Sequence, residues 1–179
     1  LETLPRYCIS QMCPGDRRHT GFGDGWFSQP FPLCMTFLAL RGNRDAAWYL
    51  QEIGYTRPRT VEQIALLGLR PERFADPRPP AWCPSQAFLD IGYAALRDGF
   101  NQKAAFLAFK CGPPTREIGH NHYDHNSFQI YYNGTWIATD PGYTGYFDPP
   151  DNKYGRCTFG HNTITLNVDD DYLANMNFP

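Results

Sequence analysis

Four of the five histidines in this 179-residue sequence lie close together in its C-terminal half. They are His120, His122, His125 and His161, and Asp140 lies between the last two. Imidazole and carboxylate groups bind zinc, and imidazole also exchanges protons near neutral pH. The cluster therefore predicts a metal site, an acid–base site, or both.

The spacing of His120 and His122 allows both side chains to serve one site. In an extended segment, residues two positions apart point to the same side, roughly 6.5–7 Å from each other. Asp140 follows a hairpin that returns the chain toward this segment, and His161 begins a further predicted strand. His122, Asp140 and His161 would suit Zn²⁺ with one position left for water. The alternative is surface histidines beside an ordinary Asp-Pro-Gly turn.

A β-hairpin is predicted from Ser127 to Asp140, because Asn133-Gly134 is the preferred two-residue type I′ turn. This turn sets which residues face each other across the hairpin. The expected pairs are Tyr131 with Trp136, Ile130 with Ile137, and Ser127 with Asp140.

This register creates a constraint on the metal site. Since Asp140 pairs with an odd-numbered position, an unbroken strand would place His122 and Asp140 on opposite faces. A shared ion therefore requires a bulge or bend between His122 and Asn126.

The N-terminal part of the chain has the apolar spacing of helices. Apolar residues recur at helical intervals over 31–53, with a break at 41–43, so two helices joined by a short loop are expected. Thr60 and Gln63 form a capping-box pattern that predicts a third, short helix ending at Gly68. Core packing accounts for these apolar stripes, which resemble no cofactor-binding motif.

A proline-rich stretch over 76–85 separates the helical part from a part with strand patterns. Its four prolines remove backbone donors and favour extended geometry, which indicates a domain boundary. Further strands are expected over 87–97, 104–110 and 163–168. The fold class is therefore α+β, with an antiparallel sheet that forms one wall of a sandwich.

Composition excludes several function classes. The 16 basic and 18 acidic residues give a net charge of -2, which argues against a nucleic-acid partner bound by phosphate neutralisation. No apolar run is long enough for a membrane span. The six cysteines lack the Cys-x-x-Cys spacing of a zinc ribbon. The Leu1-Glu2-Thr3 start is neither an initiator Met nor a signal peptide, so the chain is expected to be cut from something longer.

Several motifs stand in a fixed order here. They are His-x-His-x-Asp-x-x-Ser-Phe at 120–128, the Asn-Gly hairpin, Asp-Pro-Gly-Tyr at 140–143, Tyr-x-Arg-x-Thr at 154–158 and Gly-His-Asn-Thr at 160–163. Together with the segment 88–99, they resemble the C-terminal half of the heparinase II/III-like polysaccharide lyases, specifically over about 86–168. The resemblance implies the end of an α/α toroid at 1–80 and an incomplete antiparallel β-sandwich at 86–179, as a fragment of a larger multidomain lyase.

The resemblance also implies residue roles. It makes His120 a catalytic or carboxylate-contacting histidine, and Tyr143 and Tyr146 candidates for a tyrosine that assists proton transfer. The implied ligands of a structural zinc ion are His122, Asp140 and His161. The family's toroid tyrosine has no match, since Tyr7, Tyr49 and Tyr55 lack its context. His19, near Asp24-Gly25-Trp26, is either a contact to the uronate or a structural residue.

Charged and aromatic side chains surround the cluster. Arg116, Lys153 and Arg156 add positive charge that suits a polyanionic ligand, although they can equally be ordinary solvated charges. The aromatic residues that can stack on sugar rings, or simply pack within the sheet, are Tyr131, Trp136 and Tyr146.

The function implied by the resemblance is β-elimination on a uronic-acid-containing polysaccharide, either heparin- or heparan-sulfate-like or alginate-like. Such a lyase is expected in the periplasm or secreted, without nucleic-acid or membrane partners, and a homodimer is left open. The chain alone is not expected to turn over substrate. One alternative is a cupin-like metal enzyme, although Asn126 and Ser127 stand where its glutamate belongs. The other is a non-catalytic carbohydrate-binding sandwich.

Overall fold

Within the residues that the structure describes, three helices come first and an antiparallel sheet follows them. The computed structural model describes residues 3–23, 25, 31–55, 74–112, 121–142 and 154–165. The helices are α1 Thr3–Gln11, α2 Pro32–Leu40 and α3 Arg44–Glu52. The strands are β1 Gln86–Phe88, β2 Tyr93–Arg97, β3 Phe106–Lys110, β4 Ser127–Tyr132 and β5 Thr135–Ala138. The helix predicted to end at Gly68 lies outside the described residues.

The two helices predicted over 31–53 are confirmed, with the break where it was expected. Pro32 begins α2, where its missing N–H would have no helical partner in any case. Asn43 caps α3, because its side-chain oxygen accepts a hydrogen bond from the Ala46 amide at 2.8 Å. The helices pack around a common apolar core that includes the fully buried Ile9, Met35 and Tyr49. No helix in the described ranges is long and apolar enough to cross a membrane.

The sheet is a meander in the order β1-β2-β3-β4-β5, with every neighbouring pair antiparallel. The prediction of one extended segment over 87–97 was wrong, because the chain turns at Leu89–Ile91 and β1 pairs with β2. Gly92 completes this turn with a φ of 58°, and a Cβ there would collide with the backbone oxygen of Cys111. Only glycine fits both conditions.

The predicted hairpin joins β4 and β5. Asn133 and Gly134 have φ values of 47° and 84°, as a type I′ turn requires, and Tyr131 faces Trp136 as expected. The expected pairing of Ile130 with Ile137 was wrong, because Ile130 faces Ala138. The extra residue is a β-bulge, and it shifts the arm that leads to Asp140 by one position relative to β4.

Alternate residues of the sheet point to two different surroundings. The inner face, defined by Tyr93, Ala95, Phe106, Ala108 and Tyr131, is buried against the residues that follow α1. The outer face carries a row of facing aliphatic residues, Leu96, Leu107 and Ile130, of which Leu96 is 53% exposed. The sheet therefore has one buried face and one apolar outer row.

Arg97 of β2 joins the sheet to the first helix. Its buried guanidinium donates to the backbone oxygens of Ile9 at 3.2 Å and Met12 at 2.6 Å. These carbonyls lie at the end of α1, where the regular i to i+4 hydrogen bonds stop, and the Ile9 oxygen also accepts from the Met12 amide at 3.2 Å. Burial lowers the pKa of Arg97 to about 10, so the side chain stays charged near neutral pH. The helical part and the sheet are thereby held together by hydrogen bonds as well as by apolar packing.

The segment after His161 does not form the predicted strand in its described part, 163–165. The Asn162 side-chain amide instead donates to the backbone oxygens of Phe128 and Thr139, both at 2.9 Å. The Thr163 hydroxyl donates to the backbone oxygen of His125 at 2.5 Å. Side chains therefore replace a backbone ladder here, and they fix His161 at the open end of the β4–β5 hairpin.

Candidate metal centre

His161 and Asp140 form a buried pair at the end of this hairpin. His161 directly follows a short 3-10 turn, Thr158–Gly160. Nδ1 of His161 lies 2.7 Å from Oδ2 of Asp140. Both side chains are completely buried. The Gly142 amide donates to the other oxygen of Asp140 at 3.0 Å, so the carboxylate is fixed at both ends.

The second ring nitrogen of His161 is a candidate metal-binding atom. Nε2 is buried and has no hydrogen-bond partner within the described part of the chain. When a carboxylate accepts a hydrogen bond from one imidazole nitrogen, the lone pair of the other nitrogen is available to a metal ion. The pair therefore has the donor chemistry of a metal site.

Asp124 is a third member of the group, and the sequence analysis assigned it no role. Ligand atoms of Asp124, Asp140 and His161 all lie within 4.8 Å of one another, so this buried group could bind a metal ion. Both oxygens of Asp124 already accept from the Lys110 ammonium, at 2.7 and 2.8 Å, and one accepts from the Gly23 amide at 2.9 Å. Its i, i+2 spacing from His122 was the signal in the sequence.

His122 lies beside this group. Its side chain is buried, and the centroid of its ring is 5.3 Å from that of His161. A turn separates it from β4, since the Ser127 amide donates to the Asp124 oxygen at 3.2 Å and Asn126 has a φ of 60°. This turn is the bend predicted between His122 and Asn126, and the bulge in the hairpin also changes the face on which Asp140 lies. The role of His122 as a ligand stays a prediction.

The remaining predicted site residues divide into two groups. Arg156 is half-buried, and its backbone oxygen accepts from the Tyr123 amide at 2.9 Å, so it lies next to the His122 segment. Tyr131 packs edge-on against Trp136 with centroids 5.4 Å apart, which confirms the alternative of sheet packing for this pair. The predicted residues outside the described ranges are Arg116, His120, Tyr143, Tyr146 and Lys153.

A cavity of about 600 Å³, here called the seam cavity, lies between the helical part and the sheet. Its lining includes Tyr7 of α1, His19 and Thr20 of the following loop, and Tyr93 and Lys110 of the sheet. Because the Lys110 ammonium binds Asp124, the seam cavity adjoins the candidate metal centre. Asn121, which follows His120 in the sequence, also lines it.

His19 is held in this lining by a buried tyrosine. Its Nε2 lies 2.7 Å from the hydroxyl of Tyr49, which also accepts a hydrogen bond from the Phe31 amide at 3.0 Å. Nδ1 of His19 is buried and has no hydrogen-bond partner in the described ranges. Burial lowers the pKa of His19 to about 4, so the imidazole is neutral at pH 7. A neutral ring can form hydrogen bonds but cannot neutralise a carboxylate.

This lowered pKa predicts a pH-dependent stability. The unfolded chain protonates His19 near its ordinary pKa of 6.5, whereas the folded chain does so only at about 4. The contribution to stability is therefore complete above pH 6.5 and is lost as the pH falls toward 4, by about 3 kcal/mol in total. We expect His19→Gln to reduce the slope of unfolding free energy against pH in this window, as measured by urea unfolding. His125→Gln, at an exposed position, is the matched control variant.

The fold consists of helices followed by an antiparallel meander, with a cavity between the two parts. A buried His–Asp group beside that cavity is a candidate metal-binding site. The model of the family described as heparinase II/III-like, C-terminal, matches residues 83–176. The chain therefore belongs to this family. No curated protein sequence matches the chain.

Solved structures share the fold. A mutant of the heparan sulfate lyase HepC from Pedobacter heparinus matches with a TM-score of 0.58 at 17% identity, over 87% of this chain and 22% of that one. A structure described as heparinase III matches with a TM-score of 0.57 at 20% identity, over 91% of this chain and 25% of that one. A structure described as the heparinase III BT4657 gene product matches with a TM-score of 0.53 at 21% identity, over 88% of this chain and 22% of that one. The chain thus spans about a quarter or less of their length.

Proposed function

We propose that the protein carrying this chain is a polysaccharide lyase that cleaves a uronic-acid-containing polysaccharide by β-elimination. The observation that carries the proposal is the buried Asp140–His161 pair with its open Nε2, beside a cavity, in a chain of this family. The structures with the same fold are described as heparan sulfate lyase and heparinase III. The family assignment leaves the cupin-like alternative without support.

The reaction needs an acid and a base in defined places. A base removes the proton from C5 of the uronate, the electron pair forms the C4–C5 double bond, and the bond from C4 to the glycosidic oxygen breaks. An acid then protonates the leaving oxygen. In this proposal His120 contacts the uronate as a catalytic residue, and Tyr143 or Tyr146 assists the proton transfer. Arg116 and Arg156 would attract the acidic polymer.

His122, Asp140 and His161 would hold the metal ion, for which we propose zinc. Imidazole and carboxylate donors suit Zn²⁺, and the buried Nε2 of His161 has no other partner among the described residues. When bound, the ion would tie the His122 segment to the end of the hairpin as a structural cross-link. The chain's own contribution is to keep this segment, which directly follows His120, in a fixed position beside the seam cavity.

The wider setting belongs to the same proposal. Residues 1–80 would be the last helices of an α/α toroid, and 86–179 the incomplete β-sandwich. The polymer would be met in the periplasm or outside the cell, without a nucleic-acid or membrane partner. A homodimer is left open.

The proposal is tested on the complete protein with heparan sulfate, alginate and other polyuronates. Cleavage creates an unsaturated uronate, so ultraviolet absorbance should rise with at least one polymer. His120→Gln should abolish the rise, whereas His125→Gln, at an exposed position, should preserve it. Binding of a polymer without any rise in absorbance would instead favour the non-catalytic carbohydrate-binding alternative.

A further inference from the structure

We propose that Lys110 is a positioning residue of the candidate metal centre, which holds Asp124 and keeps this carboxylate from binding the metal ion. The inference rests on the metal ion of the proposed function. It gives a role to two residues that stand outside the proposed ligand set of His122, Asp140 and His161. It also predicts that loss of the Lys110 ammonium changes how tightly metal ions bind and which ions are preferred.

Asp124 has the location of a metal ligand. Its side chain is completely buried, and ligand atoms of Asp124, Asp140 and His161 lie within 4.8 Å of one another. His122 is two positions away in the chain, and its ring lies beside that of His161, with centroids 5.3 Å apart. A metal ion held by the other three residues would therefore lie close to a fourth donor group.

The contacts of Asp124 occupy most of its carboxylate. The Lys110 ammonium donates to Oδ1 at 2.7 Å and to Oδ2 at 2.8 Å. The Gly23 amide donates to Oδ2 at 2.9 Å. A carboxylate has about four positions that accept hydrogen bonds, so these three contacts leave little room for an ion.

The charge of Lys110 separates the two carboxylates further. A zinc–oxygen bond is about 2.0–2.2 Å long, so an ion on either oxygen of Asp124 would lie no more than about 5 Å from the ammonium. Two cations at that distance repel each other, and burial strengthens the repulsion. Asp140 interacts instead with the His161 imidazole and the Gly142 amide, which carry no fixed positive charge. The metal ion is therefore expected on Asp140 and not on Asp124.

The identity of residue 110 thereby determines the ligand number. With Asp124 withheld, three protein ligands remain, which leaves one position of a tetrahedral zinc site open. Lys110→Met would free a second carboxylate beside the ion and remove a positive charge. Because carboxylates suit Mn²⁺ better than imidazoles do, the relative affinity for Mn²⁺ should also rise. We expect Lys110→Met to bind Zn²⁺ at least about tenfold more tightly, with a larger gain for Mn²⁺.

The test measures metal affinity in the complete protein by competition with a chelator, together with the visible spectrum of the Co²⁺-loaded form. The d–d bands of Co²⁺ depend on the number and geometry of its ligands. Lys110→Met should raise the affinity and change the spectrum. The double variant Lys110→Met/Asp124→Asn removes both charges and should restore the affinity and spectrum of the unmodified protein. Lys103→Met, at an exposed position, is the matched control and should change neither.

The outcomes distinguish positioning from a purely structural ion pair. A structural pair predicts lower stability for Lys110→Met with unchanged affinity and spectrum, and that result would overturn the inference. Loss of the metal ion from the double variant would show that Asp124 is itself a ligand, which also overturns it. If Lys110→Met does not fold, the double variant still decides, because it leaves no unpaired buried charge. Its unchanged affinity and spectrum then support the inference.

This experiment is independent of the test of the lyase. If the unmodified complete protein binds no metal ion, the inference fails, whatever the ultraviolet assay shows. If the protein binds the ion and the variants behave as expected, the inference stands even when no polymer is cleaved. Cleavage of a polymer by a protein whose Asp124 proves to be a ligand would leave the lyase intact and overturn the role of Lys110.

Discussion

Asp140→Ala is expected to lower polysaccharide turnover by at least about 100-fold and to remove the bound metal ion. The carboxylate lies 2.7 Å from Nδ1 of His161, and both groups are fully buried. Its loss removes a proposed ligand and also the group that orients the imidazole. Metal content by mass spectrometry and the rise in ultraviolet absorbance, measured on the same preparation of the complete protein, check the two effects together.

The control for this variant is Asp76→Ala. Asp76 pairs with Arg78 in an ion pair whose two side chains are each 64% exposed, so its loss should change neither metal content nor turnover. Retention of the metal ion by Asp140→Ala, with activity close to the unmodified protein, would contradict the assignment of Asp140 to a metal centre.

Asp124→Ala is expected to destabilise the fold by about 3–5 kcal/mol, because it leaves the mostly buried Lys110 without its counter-charge. The same change removes the acceptor of the Gly23 amide. Asp124 connects the loop after α1, the end of β3 and the turn before β4, so three segments lose a common contact. The free energy of unfolding in urea, with Asp76→Ala as the exposed control, measures the difference.

A double-mutant cycle isolates the ion pair within this effect. When Lys110→Met accompanies Asp124→Ala, no unpaired charge remains, so the double variant should lose less free energy than the sum of the two single variants. A loss for Asp124→Ala no larger than that for Asp76→Ala would show that the pair does not stabilise the fold. If the loss in the double variant equals the sum of the two single losses, Lys110 is not the essential partner of Asp124.

Local signals predicted the hairpin but not its bulge. The Asn133-Gly134 turn follows from two adjacent residues whose backbone preferences match a type I′ turn, so sequence alone is sufficient. The bulge opposite Ile130 has no such local signal, and the end of the hairpin is closed by a distant residue. There the Asn162 side chain, more than 20 positions away in the sequence, donates to Phe128 of β4 and to Thr139, which follows β5. Contacts between residues so far apart in the sequence leave no periodic pattern from which they could be predicted.

In the candidate metal centre, too, local sequence signals predicted some features and contacts between distant residues determine the others. The histidine spacing indicated His122, Asp140 and His161, and the structure brings these residues to one end of the hairpin. The part played by Asp124 depends on Lys110, which reaches it from a neighbouring strand. The neutrality of His19 likewise results from burial against Tyr49 on a helix that follows in the chain. Burial and cross-element pairing are properties of the folded chain.

The apolar outer row of the sheet lies on the face opposite the candidate metal centre. Lys110 shares the inner face with Phe106 and Ala108, because alternate residues of a strand point to the same side. The metal group and the seam cavity are therefore approached from the inner face. The row formed by Leu96, Leu107 and Ile130 lies on the reverse. A second layer of structure can therefore cover that row and leave the seam cavity and the candidate metal centre open.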